Sequence, residues 1–443
     1  MPKFVIQGGK PLQGEVKISG SKNAALPILC ATLLTNEECE IKNVPDIADV
    51  KAILEILKSL GAEVEFFGNT VKIKTSKVTV GNIPQDLICQ MRASILLLGP
   101  LLAREGEAKM TFPGGCVLGK RPVFAHTYGL EKLGCEVLDE RENLHLKNSG
   151  LRGEKIIMPE LSVTATENVV MAAVLAKGET EIRLAAAEPH VQDLCRFLNK
   201  MGAKIEGIGT HTLKIQGVSK LNGASFEVSG DYLEAGTFAV AAAITKGHVK
   251  INGIDPEYLD SFWQKLAEAG VEFKTGKNFV EIFPSKNLKA VSMIRTAVYP
   301  SFPTDLQAPF TILMSQAQGV SKVFETLFDG RLNYLFELEK MGAKVEIMNP
   351  HQALVIGPTP LKGIPISSCD IRAGAAMVIA ALSASGETEI SNIKYIDRGY
   401  EKIEEKLRGL GASVRRIEKI DLDRKQSGLD RQNHSAKVFQ LRP

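Results

Sequence analysis

Three basic residues stand at helix starts, where a cation is unwelcome. Lys22 in Ser21-Lys22-Asn23, Arg92 in Met91-Arg92-Ala93-Ser94 and Arg372 in Asp370-Ile371-Arg372 each open an apolar, alanine-rich run. A cation there meets the positive end of the helix dipole, so the placement is unfavourable unless an anion is brought to it. Three such placements suggest one anionic ligand. Three further runs open on Ser162-Val163-Thr164-Ala165-Thr166, Asp231-Tyr232-Leu233-Glu234 and Thr304-Asp305-Leu306. Side-chain oxygens at these points satisfy orphan backbone N–H groups. Capping accounts best for Ser21, Asp231 and Asp370, and it leaves the cations unexplained.

A reactive group of another kind sits in Phe112-Pro113-Gly114-Gly115-Cys116-Val117-Leu118-Gly119-Lys120-Arg121-Pro122. Its glycines and prolines make a loop. Lys120 and Arg121 follow closely and favour the Cys116 thiolate. The alternatives are an incidental loop thiol and a hinged lid carrying a reactive group; the glycines and cations favour the lid.

The elements that must position these groups are written as a repeat. Leu60-Gly61-Ala62, Leu133-Gly134-Cys135, Met201-Gly202-Ala203, Ala269-Gly270-Val271, Met341-Gly342-Ala343 and Leu410-Gly411-Ala412 recur about every 70 residues, one supersecondary unit copied six times. Each glycine ends an amphipathic run, such as 50–60 or 258–269, and precedes alternating residues that read as a strand. Upstream of each lies a segment apolar nearly all round, at 23–34, 92–104, 166–176, 233–245, 305–316 and 371–383, as in helices buried inside a domain. One unit is therefore a buried helix, a strand, an exposed helix and two strands. Six units in two domains give three each, with helices inside and sheets outside, an α/β fold divided near residue 230 by the repeat count alone.

Composition agrees with this. The 443 residues, 44% hydrophobic and 24% charged, suffice for two cores, and Lys+Arg 54 against Asp+Glu 51 leaves +3, too little basic excess for a general nucleic-acid binder. Cys30, Cys39, Cys89, Cys116, Cys135, Cys195 and Cys369 are odd in number and scattered, as reduced thiols of a cytoplasmic enzyme would be. Neither they nor His126, His145, His190, His211, His248, His351 and His434 show metal-ligand spacing. No stretch is long and apolar enough for a membrane span and no signal peptide is evident, so a soluble protein is expected.

Six ordered segments resemble the enolpyruvyl transferase family, from about residue 3 to 416. They are Gly20-Ser21-Lys22-Asn23-Ala24-Ala25-Leu26-Pro27, Met91-Arg92-Ala93-Ser94, Pro113-Gly114-Gly115-Cys116 with Arg121-Pro122-Val123, Phe302-Pro303-Thr304-Asp305-Leu306-Gln307-Ala308, Asp370-Ile371-Arg372-Ala373 and Ile396-Asp397-Arg398-Gly399-Tyr400-Glu401. The resemblance implies two inside-out α/β barrel-like domains, 21–230 and 1–20 with 231–420, and a polar extension at 421–443. It also implies that the enolpyruvyl group of phosphoenolpyruvate passes to the 3-hydroxyl of UDP-N-acetylglucosamine with release of phosphate.

In that scheme Lys22, Arg121 and Arg398 hold phosphoenolpyruvate, and Arg92 and Arg372 complete the basic surroundings. Guanidinium forks suit phosphate and carboxylate oxygens. Cys116 is implied as the general acid and covalent-adduct site, alkylated by fosfomycin, and Asp305 as the base. Asn23 and Asp305 would position the sugar, with Leu327 and Arg331 nearby. Arg121, Pro122, Val123, Ser162 and Val163 would line the uridine diphosphate site. Neither a metal, another cofactor nor an obligate protein partner is implied.

Tyr232, Phe124 and Thr164 depart from the family pattern, where arginine, an acid and glycine are common, and the latter two fall near the implied nucleotide site. Two other readings stand beside this one. A transferase acting on shikimate 3-phosphate shares the fold but has no such loop cysteine; a non-enzymatic sugar-nucleotide sensor would not need both Cys116 and Asp305.

Overall fold

The computed structural model describes residues 2–79, 83–114, 122–140 and 143–418. Cys116, Lys120, Arg121 and the extension 421–443 lie outside the described residues.

The apolar segments form buried helices at Lys22–Ala31, Leu98–Glu105, Val163–Ala173, Tyr232–Ile244, Gln307–Ser315 and Ile371–Ser383. In Tyr232–Ile244 every residue is buried, as expected of a helix without a polar face. Two of the segments do not start as α-helix: Arg92–Leu97 and Thr304–Leu306 are 3-10 turns. Pro100 and Pro309 explain this, because each is the third residue of the α-helix that follows and has no N–H to give the carbonyl four residues back. The preceding turn therefore tightens to i→i+3 bonding. It is this tightened turn that carries Arg92 in one helix and Asp305 in the other.

The sheets lie outside the helices. Among the described residues there are six, five of four strands and one of three. In Thr70–Lys74, Val71 and Ile73 are buried while Lys72 and Lys74 face solvent, the alternation of a sheet covered on one side. The parallel pairs Lys155–Ile157 with Glu179–Arg183, and Pro365–Ser367 with Glu387–Ser391, each enclose one buried helix as a crossover. The repeat glycines Gly61, Gly134, Gly202, Gly270, Gly342 and Gly411 all have φ between 81° and 104°, the left-handed stop that the spacing predicts.

Two hydrophobic clusters result, one from residues 24–228, the other from 4–18 and 232–414. The first strands of the chain belong to the second cluster: Lys3–Gln7 lies between Glu387–Ser391 and Ser413–Ile417, and Gln13–Lys17 pairs with His248–Asn252. The chain crosses between clusters twice, side by side, at the Gly20–Gly230 bridge. A Cβ on Gly20 would lie 1.7 Å from the Asn43 carbonyl oxygen, and one on Gly230 1.9 Å from that of Gly253, so only glycine fits either crossing. The molecule is a two-domain α/β fold. Among the described residues no helix is long and apolar enough to cross a membrane.

Candidate functional site

The helix starts of both domains open on one cleft of about 750 Å³. Lys22, Asn23, Arg92, Pro122, Ser162, Val163, Asp305, Leu327, Arg331, Arg372 and Arg398 all line it. Val123 does not: its side chain is buried in the first core, and its carbonyl accepts from the His126 and Thr127 N–H groups at the start of helix Phe124–Lys132. Arg121 and Cys116 lie outside the described residues.

Capping is as expected at three starts. The Ser21 side chain accepts from the Ala24 N–H, Asp231 from Leu233 and Glu234, and Asp370 from Arg372 and Ala373. Ser162 makes no such side-chain bond. Thr304 turns elsewhere: its hydroxyl donates to Glu325 Oε2 at 2.8 Å, and Glu325 Oε1 accepts from the Leu327 N–H at 2.9 Å. Buried Glu325 thereby fixes the Asp305 turn and the Leu327 loop together.

Asp305 is held between two guanidiniums. It accepts from Arg372 Nε at 3.0 Å and from Arg331 Nη2. Arg372 lies over the Tyr400 ring and Arg331 over Phe328, centroid distances 5.2 and 5.3 Å, which fixes both forks. Burial pushes the Asp305 carboxyl up, but Arg372, Arg331 and Lys22 outweigh it and hold it well below the usual carboxylate range. Buried Arg372 Nη1 has no hydrogen-bond partner among the described residues. An anion entering the cleft would satisfy it.

A second acid, which the sequence did not single out, occupies the equivalent place at Lys22. Asp49, in the first turn of Ala48–Ser59, accepts from Lys22 Nζ at 3.3 Å and, across the domains, from Arg398 Nε at 2.7 Å. Its only signal in the sequence was an acid at a helix start, which capping and dipole arguments absorb. Burial lowers the Lys22 pKa; Arg372 and Arg398 add to the lowering, while Asp49 and Asp305 oppose it.

Four other titratable groups in the cleft wall, three of them buried and Glu188 partly so, form no ion pair among the described residues. His126 accepts at Nδ1 from Asn168 Nδ2 at 2.9 Å, and Asn168 is oriented by bonds to Gly99 N and Ile95 O. The proton therefore sits on Nε2, 3.2 Å from Thr164 Oγ1. Burial, with Arg92, pulls the His126 pKa down to about 3. Burial brings His190 to about 4, against the pull of Asp305. Burial raises Glu167 and Glu188, and Glu167 Oε1 and Glu188 Oε2 have no hydrogen-bond partner among the described residues.

Two of the three departures find their places here. Tyr232 stacks on His190, ring centroids 6.3 Å apart and planes within 7°, and Thr164 meets His126. Phe124 is exposed and packs on Tyr128, away from the cleft. Among the described residues no group of three or more His, Cys, Asp or Glu could hold a metal ion.

The comparisons agree on one family. The family model described as EPSP synthase (3-phosphoshikimate 1-carboxyvinyltransferase) matches residues 6–407. A UDP-N-acetylglucosamine 1-carboxyvinyltransferase of Methylacidiphilum infernorum is 46% identical over 420 residues, covering 94% of this chain and 99% of that protein. One from Koribacter versatilis is 45% identical over 421 residues, covering 94% and 97%. Among solved structures, the enolpyruvyl transferase NikO from Streptomyces tendae superposes with a TM-score of 0.85 at 25% identity, over 94% of this chain and 99% of that one. EPSP synthase from Acinetobacter baumannii gives 0.73 at 19%, over 94% and 100%, a likeness of fold. With its repeats, its cleft and these relatives, the chain belongs to the EPSP synthase family of enolpyruvyl transferases.

Proposed function

We propose that this chain transfers the enolpyruvyl group of phosphoenolpyruvate to the 3-hydroxyl of UDP-N-acetylglucosamine, releasing phosphate, in the first committed step of peptidoglycan precursor synthesis. The names of its relatives support this acceptor. The observation that carries the chemistry is the convergence, in one cleft, of Lys22 from one domain and Arg398 from the other with Asp305 between Arg331 and Arg372. The domains are 21–230 and 1–20 with 231–420, and the reaction takes place in the cytoplasm, serving cell-wall growth and division.

The sugar 3-hydroxyl attacks C2 of phosphoenolpyruvate and gives its proton to Asp305, while C3 takes a proton from Cys116. Loss of phosphate by C–O cleavage, with return of a C3 proton to the Cys116 thiolate, then forms the enolpyruvyl ether. Lys22, Arg121 and Arg398 hold the phosphate and carboxylate, with Arg92 and Arg372 adding positive potential. Asn23, Leu327 and Arg331 set the sugar, and Pro122, Ser162 and Val163 border the nucleotide. Paired with two guanidiniums, Asp305 is a weak base; anionic phosphoenolpyruvate, by drawing Arg372 toward itself, raises that basicity as the substrate arrives.

Phosphate release from phosphoenolpyruvate, measured with UDP-N-acetylglucosamine, with shikimate 3-phosphate and with no acceptor, tests the proposal. Release with the nucleotide sugar alone is expected. Release with shikimate 3-phosphate in its place would replace this reading, and release with neither would mark a binding protein on an enzyme scaffold.

A further inference from the structure

Lys22 and Arg398 come from different domains and share one carboxylate. Asp49 accepts from Lys22 Nζ at 3.3 Å, from Arg398 Nε at 2.7 Å and from Arg398 Nη2 at 3.4 Å. Its side chain is 6% exposed, against 12% for Lys22 and 17% for Arg398. Helix-dipole compensation explains an acid in the first turn of Ala48–Ser59, but not a carboxylate that bridges two cations lining the cleft.

Holding the domains together does not require this bridge. Glu401, three residues after Arg398, already spans them: its Oε1 accepts from the Asp46 N–H at 3.1 Å and Asn69 Nδ2 at 2.8 Å, and its Oε2 from Ser19 Oγ at 2.6 Å. What Asp49 adds is charge. Two largely buried cations that share one carboxylate repel each other, and that carboxylate offsets the repulsion and fixes the direction of each donor. A phosphate or carboxylate of the substrate would present oxygens to the same donors.

We infer that Asp49 is a positioning residue for phosphoenolpyruvate, its carboxylate aligning Lys22 and Arg398 across the cleft as a two-point clamp for the substrate anion. The inference rests on the function proposed above. Without the carboxylate the two cations move apart and the clamp is lost before substrate arrives. The nucleotide sugar, held by other residues, does not feel the change.

Steady-state phosphate release by the full chain separates these effects. Asp49→Asn is expected to raise KM for phosphoenolpyruvate about tenfold or more, the loss of one hydrogen-bonded charge. KM for UDP-N-acetylglucosamine stays as in wild type and kcat changes less than KM. Asp49→Glu, which keeps the charge, should recover most of the affinity. Calorimetric titration with phosphoenolpyruvate should show the same tenfold weakening in Asp49→Asn without reliance on turnover. An unchanged or lowered KM for phosphoenolpyruvate overturns the inference. So does an equal rise in both KM values or a loss of nucleotide-sugar binding, since either would make Asp49 a support of the fold. Wild type that binds phosphoenolpyruvate but releases no phosphate would overturn the proposed function and leave the clamp to the titration.

Discussion

Asp305 and Asp49 each lie between two cations, whereas Glu167, Glu188, His126 and His190, lining the same cleft, have no ion-pair partner among the described residues. Both sets are partly or fully buried, yet the outcome is opposite. The guanidiniums outweigh burial at Asp305 and keep it ionised. Burial is the leading influence on the others, raising the two acids and lowering the two histidines. The cleft thus concentrates full charges where an anionic substrate and a proton transfer need them.

Breaking the paired set should have the largest effect. Asp305→Asn keeps the shape but removes the proposed base, so turnover should fall by roughly 10² to 10⁴ in a phosphate-release assay. It also leaves two buried guanidiniums without their anion, and stability measured by urea unfolding should fall by roughly 2 kcal/mol at pH 7. The sign with pH follows from the depressed folded pKa. Stabilisation by Asp305 is complete above the unfolded value of about 3.9 and is lost as pH falls below it. Wild type and variant should therefore converge in strong acid.

The thiols extend the comparison. Burial raises Cys135, Cys195 and Cys369 to about 12 and lifts Cys30 and Cys39 as well, which leaves them poor nucleophiles. Of the other two, Cys89 is exposed and Cys116 is the adduct site that the family resemblance implies, so fosfomycin is expected to alkylate Cys116 and not Cys89, as peptide mass spectrometry would show. Cys116→Ser should lose turnover by at least about tenfold for want of a proton donor. Cys116→Asp should keep some turnover, resist the epoxide, and shift its acid-dependent limb toward lower pH, since a carboxyl titrates near 3.9 and a thiol near 8.5.

The unpaired set acts on stability with pH rather than on turnover. His126 and His190 have folded pKa values depressed to about 3 and about 4, so their stabilisation is complete above the unfolded value of about 6.5. It is lost as pH falls toward the folded values, at about 1.4 kcal/mol per pH unit for each histidine within that window. His126→Gln should flatten the fall in stability between pH 6 and 4. Glu167 has the opposite sign: its folded pKa is raised, so ionisation opposes folding above about pH 4.3. Glu167→Gln should raise the melting temperature at pH 7, while Asp305→Asn lowers it.

Features set by a single residue's local physics were legible in the sequence. The repeat glycines announced helix ends because few other residues adopt positive φ, and Ser21, Asp231 and Asp370 announced helix starts because an orphan N–H needs an acceptor. The range 371–383 for the last buried helix matches Ile371–Ser383. Features set by distant neighbours were not legible. Asp49 meets Arg398 across 349 positions of sequence, and nothing near Asp49 foretells it. Pro100 and Pro309 stood in the sequence as the sign of 3-10 turns at Arg92 and Asp305, but runs of apolar residues read as uninterrupted helix. Val123, beside cleft-lining Pro122, faces the core because a helix begins directly after it.

The central claim is that the paired cations receive phosphoenolpyruvate while Asp305 receives the acceptor's proton. A crystal structure of Asp305→Asn, slowed enough to retain both substrates, tests it directly. The expected result is a phosphate or carboxylate group bridging Lys22 and Arg398, with the sugar 3-hydroxyl within hydrogen-bond distance of residue 305. Phosphoenolpyruvate bound away from Lys22 and Arg398, or a sugar hydroxyl turned away from position 305, would contradict the account.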